Sequence, residues 1–138
     1  MERIVKENYY LDIAETVLER STCLRRQYGA IIVRNDEIVA TGYNGVPRGE
    51  RYELCRSVHA EANAIISASR NECIGGDIYL AGHDAKTGAI LSDATSCSMC
   101  RRMIINAGLR HVVIRNSRTE FTIVQVQDWI DQDDTLEL

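Results

Sequence analysis

Three side chains with a strong affinity for soft metal ions sit where they constrain the fold: His59, in Val58-His59-Ala60-Glu61-Ala62-Asn63-Ala64-Ile65-Ile66, and the pair in Cys97-Ser98-Met99-Cys100, which begins 38 residues after His59. Each group opens a predicted helix. A histidine and two thiolates fill three of the four tetrahedral positions that zinc prefers, and the fourth is where a water binds and becomes acidic enough to attack at neutral pH. Glu61 is not needed as a ligand and is free to move protons. A fold that uses these residues together must bring the N-terminal ends of two helices to one point, where the helix dipoles and free N–H groups favour thiolate over thiol.

Each half of the pattern also has an ordinary reading. A single histidine on a helix is more often a surface or core side chain than a ligand, and a lone Cys-x-x-Cys serves equally well as a redox dithiol. In combination, His-x-Glu and Cys-x-x-Cys resemble the zinc nucleobase deaminases, in which the glutamate handles protons rather than metal. The rest of the composition agrees with one enzyme domain spanning 1–138, with 45% hydrophobic residues to fill a single core. Sixteen basic and 20 acidic side chains give a formal charge of -4, so there is no broad basic field for gripping nucleic acid. The start, Met1-Glu2-Arg3-Ile4-Val5-Lys6, lacks a signal-peptide apolar region, and no apolar run approaches the roughly 18 residues needed to cross a bilayer. A cytoplasmic protein without membrane contact is expected. Five cysteines, an odd number, favour metal ligation and free thiols over a disulfide framework.

Periodicity predicts a first helix over 8–21, with Tyr10, Ala14, Val17, Leu18 and Ser21 on one face. Strands are expected over 30–33 and 37–41, joined by a tight turn at Asn35-Asp36. The segment 42–49, with three glycines and the chain's one proline, reads as a functional loop. A second helix is expected from Ser57 as N-cap to Arg70, with Val58, Ala62, Ile65, Ile66 and Ser69 toward the core. A strand over 77–81, a long polar loop over 82–96, a helix from the cysteines to Ala107-Gly108, strands over 111–114 and 121–126, and a short helix in the tail from Asp128 complete the order. This order describes a three-layer α/β/α sandwich around a mixed five-stranded sheet.

Several further segments resemble the cytidine/deoxycytidylate deaminase family over nearly all of residues 8–115: Ser21-Thr22-Cys23-Leu24-Arg25-Arg26, Tyr28-Gly29-Ala30-Ile31-Ile32-Val33, Thr41-Gly42-Tyr43-Asn44-Gly45, Pro47-Arg48-Gly49 and Met103-Ile104-Ile105-Asn106-Ala107-Gly108. The Gly-Tyr-Asn-Gly loop narrows the resemblance toward the deoxycytidylate branch. It implies a cytidine deaminase-like fold and hydrolytic deamination of dCMP to dUMP with release of ammonia. It also implies one catalytic zinc on His59, Cys97 and Cys100, with Glu61 as the proton carrier. Backbone N–H groups near Ala60 and Cys97 are the expected donors to the tetrahedral intermediate. Asn44 is expected at the sugar and base, against the simpler reading of an Asn that stabilises a turn. Arg26, with Arg25 or Arg48 as alternatives, is expected at the 5′ phosphate. A closed homo-oligomer is the ordinary assembly for such a fold, and dCTP and dTTP are the effectors that the resemblance suggests.

Two departures stand out. Ser96 precedes Cys97 where these deaminases usually carry proline, so the stiffening of that turn is lost. Only eight residues, Glu50 to Ser57, separate Gly49 from Val58, where many relatives have a long insert that contributes to a second, structural zinc. Cys23 and Cys55 are the remnants such a site would leave, and two cysteines do not make a closed four-ligand cage. Cys73 is expected to pack as a small apolar residue. Two other readings remain open here: a deaminase acting on another small molecule or on a base within nucleic acid, and a zinc fold without catalysis, for which Glu61 would have no use.

Overall fold

Asn35 and Asp36 both take left-handed backbone, with φ of 53° and 61°, as a tight two-residue hairpin requires. They join β1 (Arg26–Arg34) to β2 (Glu37–Tyr43), so the expected runs 30–33 and 37–41 are parts of longer strands. The computed structural model describes residues 3–45, 58–92 and 94–132. Around the hairpin lie α1 (Lys6–Leu18), α2 (Ala60–Ser67), α3 (Arg70–Cys73), β3 (Asp77–Asp84), α4 (Ser98–Ala107), β4 (His111–Arg115), β5 (Phe121–Gln125) and α5 (Val126–Gln132). The strands form one sheet in the order β2-β1-β3-β4-β5. Only β3 and β4 run parallel, and α4 lies in the connection between them. No helix among the described residues is long and apolar enough to cross a membrane.

Strand alternation divides the core into two layers. Ile31, Val33, Tyr79, Ala81 and Val113 meet Tyr10, Leu11, Ala14 and Leu18 of α1 on one face. Ala30, Ile32, Ile78, Leu80, Val112 and Ile114 meet α2, α4 and α5 on the other, where Cys73 also packs at 1% exposure. This is the expected three-layer arrangement around a mixed sheet. Arg115 of β4, fully buried, fastens α1 to its face by donating to Asp12 at 2.7 Å and Glu15 at 2.5 Å. Asp12 is about half exposed and Glu15 largely buried, so solvent screens the first contact more than the second.

The second helix differs from expectation. Ser57 lies outside the described residues, and α2 starts at Ala60 and ends at Ser67 rather than reaching Arg70. Ser69 is the N-cap of α3, in a capping box in which its hydroxyl accepts from the Glu72 N–H while the Glu72 carboxylate accepts from the Ser69 N–H. That local bonding ends one helix and begins another. Ile66, expected in the core, is 68% exposed, whereas Ala60, Glu61, Ala62 and Ala64 are buried. The first helix is also shorter at its C-terminus than 8–21, ending at Leu18.

The cause of this inverted burial is the closeness of α2 to the sheet. A Cβ built at Gly42 of β2 would lie 2.3 Å from the Ala64 nitrogen and 2.5 Å from the Ala60 carbonyl oxygen. Only a residue without a side chain admits the helix backbone there, and only alanine-sized residues fit beneath it. Gly42→Ala should therefore push α2 outward and destabilise the chain by on the order of 1–3 kcal/mol. A denaturant or thermal melt checks this, together with reduced metal retention, because His59 immediately precedes α2.

Candidate metal centre

His59 and Cys97 are both N-cap residues, of α2 and α4 respectively. Both have extended backbone, with φ/ψ of -68°/153° and -72°/169°, and neither side chain caps its own helix. Their side chains are thus free of the role an N-cap residue ordinarily fills. Cys100 follows one turn into α4 and is fully buried, while His59 and Cys97 are exposed. The His59 Nδ1 lies 3.4 Å from the Cys97 Sγ and 3.3 Å from the Cys100 Sγ, and all three atoms fall within 4.8 Å of one another.

This donor set fits zinc. With metal–sulfur and metal–nitrogen distances of about 2.3 and 2.0 Å, tetrahedral zinc separates a nitrogen from a sulfur ligand by roughly 3.5 Å, close to both observed distances. Against the expectation that the helix N-termini favour thiolate, the surroundings of Cys100 favour the thiol. Burial pushes the Cys100 thiol up, and Glu61 and Cys97 push it further, against a smaller opposing effect of the Ala62 N–H. Two thiolates beside a buried carboxylate need a cation to offset their charge. Among the described residues no second group of three potential ligands gathers. Cys23 is a half-buried free thiol, and Cys55, its suggested partner, lies outside the described residues.

A cleft of about 230 Å³ opens at this centre, lined by Tyr28, Asn44, His59, Glu61, Leu80, Thr95 and Cys97. Glu61 is 5% exposed and lines this cleft, which places a carboxylate where it can exchange protons with a bound molecule. Asn44 reaches the cleft but is largely committed to its own chain. Its Oδ1 accepts from the Ser21 hydroxyl at 2.7 Å and the Tyr28 N–H at 2.8 Å, and its Nδ2 donates to the Arg26 carbonyl at 2.9 Å. These partners lie 16 to 23 residues away in the chain, so Asn44 ties the segment after β2 to the start of β1 and to Ser21 instead of closing a turn of its own.

Arg26 does not line the cleft. It is exposed at the first position of β1, on the same face as Tyr28 by strand alternation. Arg25 is exposed beside it, with its carbonyl accepting from the Ala85 N–H at 2.8 Å. Ala60, the first residue of α2, is fully buried at the ligands. Arg48 lies outside the described residues. Tyr28, Leu80 and Thr95 were not singled out from the sequence. Tyr28 stands there in a segment of the family resemblance and Leu80 as a strand residue, and tertiary packing brings both into the cleft with His59. Thr95 carried a weak signal, lying two residues before Cys97.

The sequence model of the cytidine and deoxycytidylate deaminase zinc-binding region matches residues 4–116. The chain belongs to this family. It is 28% identical to the deoxycytidylate deaminase of Schizosaccharomyces pombe over 130 residues, covering 80% of this chain and 37% of that protein. With the deoxycytidylate deaminase of Mycobacterium phage D29 it is 28% identical, over 78% of this chain and 91% of that one. Among solved structures, the dCMP deaminase of cyanophage S-TIM5 in complex with dCMP and dUMP superposes with a TM-score of 0.63 at 27% identity, covering 97% of this chain and 95% of that one. The chain thus spans less than two fifths of the yeast relative but nearly the whole of the two phage proteins. The family is a zinc-binding one, and His59, Cys97 and Cys100 are positioned to hold that zinc.

Elemental analysis should find about one zinc per chain, and Cys97→Ala or Cys100→Ala should abolish its retention through dialysis. Two zinc ions per chain, with Cys23 and Cys55 protected from thiol reagents, would contradict this count.

Proposed function

We propose that the chain, acting as one domain over 1–138, is a zinc-dependent hydrolase that deaminates dCMP to dUMP and releases ammonia. The observation that carries this reading is the convergence of His59, Cys97 and Cys100 at two helix N-termini, in a cleft that the buried carboxylate of Glu61 also lines. The cyanophage protein, bound to dCMP and dUMP, and the phage D29 deaminase support the substrate. Zinc held by the three ligands would act as a Lewis acid that makes water sufficiently acidic at neutral pH.

Glu61 takes the proton released from water and passes it to the pyrimidine ring nitrogen, so that the water oxygen bonds to the ring carbon bearing the amino group. Glu61 then takes the proton of the hydroxyl now on that ring carbon and delivers it to the amino nitrogen, so that the carbon–nitrogen bond breaks, ammonia leaves and the carbonyl of dUMP forms. The N–H groups at the start of α2 and α4, at Ala60 and Cys97, are suited to stabilise charge on the tetrahedral intermediate. Asn44 offers its remaining amide hydrogen to the sugar or base. Arg26 grips the 5′ phosphate, with Arg48 as the alternative. We further infer a cytoplasmic, closed homo-oligomeric enzyme, in keeping with the thiol usage and the acidic balance. dCTP and dTTP are the effectors this reading carries, without a residue assigned to either.

Glu61→Gln should retain zinc while turnover falls by at least about a hundredfold, and full activity in that variant would sink the mechanism. Arg26→Ala should lower kcat/KM on dCMP by roughly ten- to a hundredfold and leave deoxycytidine, which has no phosphate, nearly unchanged. Equal losses on both substrates would move phosphate recognition elsewhere. A panel of dCMP, CMP, deoxycytidine, cytosine, guanine and a short single strand, assayed for ammonia, separates this reading from the nucleic-acid alternative.

A further inference from the structure

The family match ends at residue 116, yet the chain continues through β5 and α5, and this added segment reaches the support of the metal centre. Trp129 of α5 is 8% exposed and belongs to the core beneath α4. The Arg101 guanidinium lies over its ring, with Cζ 5.1 Å from the centroid, a cation–π contact. Arg101 follows Cys100 directly on α4, and its side chain runs back toward the helix N-terminus as helical side chains do. There its Nε donates to the Ser96 carbonyl at 3.0 Å. Its backbone N–H donates to the Cys97 carbonyl at 2.9 Å. A single residue thereby holds the carbonyls of both peptide planes that flank Cys97. Because each peptide is planar, fixing both carbonyls fixes the direction of the Cys97 side chain. The hydroxyl of Ser96 itself is buried and has no hydrogen-bond partner among the described residues.

We infer that Arg101 is a positioning residue for the zinc centre, held over Trp129, so that the C-terminal helix α5 sets the orientation of Cys97. This rests on the zinc reading above. The guanidinium orients a peptide rather than touching metal or substrate, and its loss loosens one ligand of three.

Zinc release to a chromogenic chelator, and the thiolate-to-metal absorption of the cobalt(II)-substituted full chain, test this. Arg101→Met keeps an aliphatic stem over Trp129 and removes the Nε donor. It should release zinc about tenfold faster, the lower end of what loss of a ligand-orienting partner costs, and should alter the cobalt absorption. Trp129→Leu should act in the same direction more weakly, whereas Trp129→Phe, which keeps an aromatic face, should stay near wild type. The double variant Arg101→Met/Trp129→Leu should release zinc no faster than Arg101→Met alone, since both changes break one chain of contacts. Wild-type release and an unchanged cobalt spectrum in Arg101→Met would overturn the inference, as would effects of the two changes that multiply. Should Arg101→Met fail to fold, Arg101→Lys removes the planar Nε–H while keeping the charge, and it must show the faster release. Wild-type protein that takes up no zinc would overturn the underlying reading instead.

Discussion

Ligand atoms drawn from two helices meet only if both helices begin at the same height above the sheet, and here that height is set by the contact of α2 with β2 at Gly42. The absent side chain lets the Ala60 and Ala64 backbone descend onto the strand, which brings His59 level with Cys97 and Cys100. Asn63 reinforces the contact by donating to the Tyr43 carbonyl at 2.6 Å. The same closeness explains why α2 buries three alanines and a glutamate but turns Ile66 outward. A helix this near the sheet has no room for large side chains underneath.

The electrostatics of the centre follow from that packing. Helix N-termini bring unsatisfied N–H groups and the positive ends of two dipoles, while Cys100 and Glu61 are buried among them. Such a site holds negative charge at a cost that a bound cation offsets, and it exposes His59 and Cys97 toward a cleft where a small molecule can approach. Behind the ligands, Arg101 and Trp129 stiffen the turn at Ser96, where the chain lacks the proline usual in the family. Tyr28, Leu80 and Glu61 bring strand and helix residues to the cleft beside Asn44, Thr95, His59 and Cys97, which suits chemistry that needs a carboxylate within reach of a reacting ring.

Asn44 illustrates how structural and functional demands share one residue. Its amide binds Ser21, Arg26 and Tyr28 together, so it shapes the cleft edge by fixing the start of β1, and thus the placement of both Tyr28 and Arg26. Any contact it makes with a ligand is limited to the amide hydrogen that remains. An asparagine that cross-links distant segments and one that lines the cleft are here the same side chain.

Much of this was legible in the sequence, because the signals involved are local. The Asn35-Asp36 turn, the strands with their β-branched runs, the left-handed Gly108 after α4 and the His-x-Glu and Cys-x-x-Cys spacings depend on a few neighbouring residues, and the structure has each where it was expected. The limits of α2 also had a local signal, the Ser69/Glu72 capping box, which the apolar periodicity through Ile65, Ile66 and Ser69 obscured. What only the tertiary structure decided involves pairs distant in the chain: Gly42 against Ala60 and Ala64, Tyr28 and Leu80 beside His59, Arg115 against Asp12 and Glu15, Trp129 against Arg101. Periodicity says that a helix has an apolar face, but how near that face comes to a given strand is fixed by the side chains of both. Tyr28 and Leu80 in the cleft, and the contacts that brace its metal ligands, were therefore settled by packing, whereas His59, Glu61, Asn44 and Cys97 were legible as pattern.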